Sequence, residues 1–378
     1  MKKLLMLLSV TWLAVACTET ETNDGAIVGS ITDGGQSVKL SEILASHALI
    51  PLETTESSLV GTVSKIVKRD GVYYLASDRK NIQAFGSDGK HIGTIDRIGG
   101  GPGEYVQLID FDVDGDRIAV LDLRKVHFYT LDGSFDKTID LPVIGSNLKL
   151  LPDGNIMLTT SREDDAIAVV NRAGKEIARY VKSTQPLLLK KSIPFIECDG
   201  KVFFQNGAYA NDLWYYQNGK TGTARLLGDP DALSAEQEEK LVEESGLDYA
   251  QNNMTALKIN GISAWGKQMA FVSLKQDNAY LYIHDFTTNH DVRYEMMPTM
   301  SITDDITYMN PGLSLGMITI GASENGFVSL LQPYVLAEAL DEHADQAGTP
   351  TYDAARQLLD SLGDADNANP ILFEFNFK

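Results

Sequence analysis

Cysteine is nearly absent: Cys17 and Cys198 are the only two in 378 residues. Cys17 falls in a leader-like segment, so no intrachain disulfide can brace the fold and its stability must come from packing. Cys198 lies where a strand-like run enters the Asp199-Gly200 turn and is expected to be a packed thiol. The six histidines do not pair at metal-ligand spacing. No Gly-Lys-Ser/Thr follows any glycine-rich stretch, so there is no phosphate loop. No catalytic motif is found, no catalytic residue is assigned, and no cofactor is expected. Apolar runs stop well short of the roughly 20 residues that span a bilayer. Positive charge is also scarce, with 32 Lys and Arg against 52 Asp and Glu, for a net charge of −20. Such a surface repels the phosphates of nucleic acid, which is excluded as a partner.

What is present begins with an export signal at residues 1–17. Lys2 and Lys3 precede an apolar run from Leu4 to Val15, too short to cross a membrane. Leu13-Ala-Val-Ala-Cys17 resembles a bacterial lipobox, with Cys17 as the lipidated residue of the mature N-terminus. Without the two leader lysines, the chain would carry about −22. Residues 18–37 are polar and read as a tether to the membrane. Glu19 and Glu21 resemble the surface-export signal of some Gram-negative lipoproteins.

A repeat occupies the rest of the chain, 38–378. Its organising stretch is Arg97-Ile-Gly-Gly-Gly-Pro-Gly-Glu-Tyr105, where four glycines and a proline force the backbone to turn between two strand-like runs. Asp-Gly, Ala-Gly and Asn-Gly turns recur in two interleaved series. Glycines 71, 115, 154 and 200 are spaced by 44, 39 and 46 residues, and glycines 89, 133, 174 and 219 by 44, 41 and 45. Two series with one period of 40–45 residues describe four-stranded propeller blades, whose first-to-second and third-to-fourth turns lie on one face. The fold class is therefore all-β, a six-bladed β-propeller. The fifth blade is expected around Ala264-Trp-Gly-Lys267. Residues 317–320, 327–331 and 371–377 supply three strands of the sixth, and residues 47–52 its fourth. Closing the ring with strands from both chain ends leaves no open edge. Helical insertions are expected near 230–255 and 334–362. The Trp-Asp repeats of one propeller class are absent.

Ile50-Pro-Leu-Glu-Thr54, the glycine-rich motif with Asp110 after it, and Asn369-Pro-Ile-Leu372 resemble the six-bladed, NHL-like β-propeller lipoproteins of Gram-negative gut bacteria. The resemblance covers roughly residues 38–378. It implies a cell-envelope location, lipid-anchored to the outer membrane on its periplasmic or exterior side, and no established reaction.

Strand parity places the long connections, 182–194, 229–258, 298–316 and 332–370, on the face opposite the short turns. Long loops over a rigid scaffold commonly carry binding. The candidate ligand-binding residues on this face are Asp78, Arg79, Glu104, Tyr105, Asp122, Arg124, Arg162, Asn206, Tyr209 and Lys275. Asp110-Phe-Asp-Val-Asp-Gly115 begins like a calcium loop, but Leu121 stands where a bidentate carboxylate is required, and no metal ligands are assigned. Two functions stay open. One is a binding or scaffold module for a glycan, peptide or envelope-protein partner. The other is a metal-dependent propeller hydrolase or lyase with its site at the central channel.

Overall fold

A computed structural model of the protein describes residues 22–26, 30–160, 165–182, 195–205, 212–225, 235–245, 258–275, 278–316, 321–323 and 326–378. Six four-stranded antiparallel blades form a ring. Blade one is Val63–Arg69, Val72–Ser77, Asn81–Gly86 and His91–Ile95. Blade two is Asp110–Asp114, Arg117–Asp122, Lys125–Thr130 and Phe135–Asp140. Blade three is Gly145–Leu150, Ile156–Thr160, Asp165–Val170 and Glu176–Lys182. Blade four is Phe195–Cys198, Lys201–Gln205, Asp212–Gln217 and Lys220–Arg225. Blade five is Lys258–Trp265, Gln268–Lys275, Asn278–Asp285 and His290–Met297. Blade six is Gly321–Ser323, Gly326–Leu331, Ile371–Phe377 and, from the other end of the chain, Leu44–Pro51.

The short turns have the backbone their residues favour. Asp70 and Gly71 both sit in the left-handed region, at φ 49° and 75°, which matches the right-handed twist of the strands they join. Alternation then divides each strand between two neighbours. Ile118 and Val120 pack toward blade one, while Ala119 and Leu121 pack toward blade three. The core is therefore a set of wedges, with one apolar cluster between each adjacent pair of blades.

Ring closure follows the expected pairing. Pro51, Leu49 and His47 lie opposite Ile371, Phe373 and Phe375 in antiparallel register. Phe373, Phe375 and Phe377 share one face and pack with Phe327 in the wedge toward blade five. The intervening Leu372 and Glu374 face blade one, where Glu374 meets Lys68 at 3.0 Å and accepts from the Tyr73 hydroxyl at 2.8 Å. The inner strand of blade six lies at Gly321–Ser323, later than the sequence reading placed it; residues 317–320 are outside the described residues. This strand also pairs in parallel with Val63–Arg69, so blades six and one are continuous through eight strands.

The polar stretch read as a tether contains two strands. Thr22–Ala26 adds in parallel to the outer strand of blade four. Ser30–Asp33 adds in parallel to the outer strand of blade five, fixed by Arg293 on Asp33 at 2.6 Å and by Ser30 Oγ against His290 Nδ1 at 2.8 Å. Backbone pairing at a blade edge needs no apolar side chains, so hydropathy gave no sign of it. The insertions contain the helices Ala235–Ser245, Pro311–Ser314, Pro333–Glu342 and Pro350–Leu362. Tyr352, Ala355 and Leu359 form the buried stripe of the last.

Candidate functional site

The long-loop face is best defined at blades one and two. Asp78 and Arg79 form the turn between the second and third strands of blade one, with φ 53° and 55°. Asp78 fixes that turn: its Oδ1 accepts from Thr62 N at 2.9 Å, and its own N–H donates to Thr62 O at 2.9 Å. The glycine-rich loop closes on itself, since Tyr105 N donates to Arg97 O at 2.9 Å and Gly99 N to Tyr105 O at 3.0 Å. The Glu104 carboxylate accepts from Gly101 N at 2.7 Å and lies over Gly99, where any Cβ would strike it. A side chain at position 99 would therefore push the Glu104 carboxylate out of this place.

Tyr105 is fully buried and donates its hydroxyl to Lys80 O at 2.7 Å, tying the glycine loop to the Asp78–Arg79 turn. Burial pushes its phenol well above the ordinary tyrosine range. Asp122 is buried as well. Its Oδ2 accepts from Val106 N at 2.8 Å and lies 3.8 Å from His127 Nε2. Burial holds His127 below the usual imidazole range, against the opposing pull of Asp122. Tyr105 and Asp122 therefore support the loops from beneath. Arg124 is exposed and donates from Nη1 to Pro142 O at 3.0 Å. Arg162, Asn206 and Tyr209 lie outside the described residues, and Lys275 ends the second strand of blade five.

The pinned loops display residues that the sequence reading did not select. Leu59, Ile98, Val106 and Leu123 are exposed on this face, Val106 to 69%. Arg79, Lys80, Arg97, Arg124 and Lys125 are exposed among them. With the acids Asp78, Asp96 and Glu104 exposed on the same loops, apolar side chains flanked by charges of both signs suit a ligand with a hydrophobic face and polar or hydroxyl groups. The available signal was the apolar residues placed within otherwise polar turns, such as Leu123 between Asp122 and Arg124.

A second set lines the axis. Lys65, on the inner strand of blade one, meets Asp110 of blade two at 3.1 Å and donates to Phe111 O at 2.7 Å. Asp110 and Asp112 accept from Leu148 N and Leu150 N of blade three at 2.8 and 2.9 Å. Lys149 of blade three bridges Asp112 at 3.2 Å and Glu197 of blade four at 3.0 Å. Glu197 in turn lies 3.6 Å from Arg69 of blade one. Burial alone would raise Asp112, but Lys149, Lys65, the Leu150 N–H and Arg69 together hold its carboxyl below the usual range. At Asp110, burial outweighs Lys65 and the Leu148 N–H, and the carboxyl is pushed up. Burial would depress Lys149, but Asp112 and Glu197 overcome it and raise the ammonium.

The carboxylates that began like a calcium loop are thus struts between inner strands, occupied by ammonium and N–H donors. Among the described residues, no three of His, Cys, Asp and Glu converge as metal ligands would. Cys198 is buried, and burial, with Asp199 next, pushes its thiol up to about 12, which makes it a poor nucleophile.

A family described as a domain of unknown function, DUF4934, matches residues 27–375. The chain belongs to that family. Among curated proteins, none matches the chain. The crystal structure of a Bacteroides fragilis protein, provisionally described as exported, resembles this DUF4934 chain with 19% identity and a TM-score of 0.69. The alignment covers 92% of this chain and 99% of that one, and at this identity it shows the fold alone. PorZ, described as a surface component of the type-IX secretion system of Porphyromonas gingivalis, has 14% identity and a TM-score of 0.36, covering 67% of this chain and 30% of its own. The Pan2 WD40 domain of Neurospora crassa has 10% identity and a TM-score of 0.39, covering 74% and 78%. These last two likenesses are too loose to carry an argument. No helix among the described residues is long and apolar enough to cross a membrane.

Proposed function

We propose that the protein is a cell-envelope lipoprotein whose propeller works as a binding or scaffold module, with the long-loop face of blades one and two as its working surface. The observation that carries this reading is the display of Ile98, Val106 and Leu123 among exposed charged residues, on loops held from below by buried Tyr105 and Asp122. Rigid, partly apolar loops lose little entropy on binding. The channel offers less, because its described carboxylates are committed to lysines and backbone N–H groups.

Anchoring at Cys17 accords with the topology. The outer strand of a blade runs from the short-turn face to the long-loop face. Thr22–Ala26 runs parallel to such a strand, so Thr22 starts at the short-turn face of blade four. Cys17 is five residues earlier, a reach of at most about 18 Å. In this reading the short-turn face looks toward the lipid, and the loops of blades one and two look away from it toward a glycan, peptide or envelope protein.

The test is a screen of soluble glycans and peptides by biolayer interferometry, comparing wild type with Arg79→Glu/Arg124→Glu and with Val106→Asp. Both variants change exposed positions, so melting temperature should fall little. Binding that both variants weaken at least tenfold supports the reading. Ligands bound equally well by wild type and both variants would move the working surface elsewhere.

A further inference from the structure

Blade six carries a groove whose geometry and charge define a second site, distinct from the loops of blades one and two just described. Its outer strand, Leu44–Pro51, pairs on one edge with Ile371–Phe377. Among the described residues, no backbone group bonds to its other edge over residues 45–50. Beside that edge lies a pocket of about 370 Å³, lined by His47, Ala48, Leu49 and Ile306 and, from the helix Pro350–Leu362, by Ala354 and Leu358 among others. Consecutive strand residues point to opposite faces, so His47 and Leu49 face the pocket with the Ala48 main chain between them, and the pocket runs along the face of this outermost strand, beside its free edge. The opposite wall is the helix, with exposed Ala354 and half-buried Leu358. A free strand edge beside an apolar pocket is an arrangement that accepts an extended peptide as an added strand, with alternate side chains entering the pocket.

Two further observations identify the occupant. First, the outer edges of blades four and five already take an added parallel strand, Thr22–Ala26 and Ser30–Asp33. Edge addition is thus a mode this propeller supports on the two preceding blades. Second, the insertion that builds the helix wall, residues 333–370, contains eight Asp and Glu and one Arg, and that Arg356 is already held by Asp341. A wall of one sign selects the other. We infer that the groove between Leu44–Pro51 and Pro350–Leu362 binds an extended segment of a partner protein, with apolar residues at alternate positions and lysine or arginine flanking them. Its backbone completes blade six, its apolar side chains fill the space over Leu49, Ala354 and Leu358, and its basic ends meet the acidic insertion.

The experiment uses the chain from residue 18 onward and a panel of short fluorescein-labelled peptides. Each peptide has lysine at both ends and alternates threonine with valine, leucine or phenylalanine. Fluorescence anisotropy should show saturable binding of at least one peptide, weakening severalfold from 50 to 300 mM salt. Methylating alternate backbone nitrogens should abolish it on one of the two possible phases, since only one phase of amides faces the strand edge. Ala354→Trp, at an exposed position, should fill the groove and weaken binding at least tenfold while the melting temperature holds. Arg79→Glu/Arg124→Glu should leave it unchanged, which separates this site from the loops of blades one and two. The inference is overturned if no peptide saturates up to millimolar concentration. It is also overturned if Ala354→Trp binds like wild type, or if both methylated phases still bind.

Discussion

Lys149→Met tests whether the axial charges hold the ring together. Lys149 is 13% exposed and Asp112 is 3%, while Glu197 is 48% exposed. Removing the ammonium therefore strands Asp112 in the interior but leaves Glu197 free to solvate. Breaking a buried pair from one side costs about 3–5 kcal/mol. The lower end applies here, because Asp112 keeps its bond from Leu150 N and the field of Lys65. Unfolding entropy of about 2.1 cal/mol/K per residue, over roughly 340 residues, gives about 0.7 kcal/mol/K, so a loss of about 3 kcal/mol lowers Tm by about 4 °C. Scanning calorimetry of wild type, Lys149→Met, Asp112→Asn and the double variant measures this directly. In the double variant the buried charge is gone but Leu150 N keeps an acceptor, so Tm should recover to within about 2 °C of wild type. A Lys149→Met shift below 1 °C would refute the account, as would a double variant whose loss is the sum of the singles, since coupled partners cannot be additive.

Other perturbations bear on the same structure. Asp112 has a folded value below its unfolded one, so its contribution is complete above the ordinary carboxylate value of about 3.9 and is lost as pH falls through the lower folded value. The Tm gap between wild type and Asp112→Asn should therefore be constant from pH 7 to about 5 and start to close only below about 4; a gap that already shrinks between pH 7 and about 5 would contradict the depressed value. Gly71→Ala and Gly89→Ala both force alanine to a positive φ, 75° and 78°, but only at Gly89 would the new Cβ strike the Pro51 carbonyl at the end of the closing strand. The first should cost about 1 kcal/mol and the second about 2–3 kcal/mol, measured by urea denaturation. Equal costs would mean that the Gly89 turn does not press on the closure. Cys17→Ala should move the protein from the membrane fraction to the soluble fraction of its bacterial host; continued sedimentation with membranes would remove the lipid anchor from the proposal.

Much of the architecture is local, and so it was legible in the chain. A blade is about 40–45 residues of alternating strand with turns that need left-handed backbone, and Asp-Gly and Asn-Gly provide that backbone wherever they occur. The closing strand was legible for a different reason. One apolar run was left over at the start of the repeat and one blade was short of a strand at its end, and an open edge would have exposed both. The division of loops between two faces followed from strand parity alone.

The site was less legible because its parts meet only in three dimensions. Lys65, Asp112, Lys149, Glu197 and Arg69 come from four blades and converge because every inner strand runs along the axis. No sequence spacing encodes that meeting, so Asp110 and Asp112 resembled a fragment of a calcium loop until their lysines stood beside them. Tyr105 was a candidate ligand-binding residue by its place in a loop, yet packing turned it inward to bond Lys80 O. The added strands Thr22–Ala26 and Ser30–Asp33 were invisible for the opposite reason, since they pair through backbone groups that every residue carries. Period, turn chemistry and ring closure are properties of the sequence by itself. Which charges are buried, which loops are pinned and which blade edge stays open were decided only when distant strands were brought together around one axis.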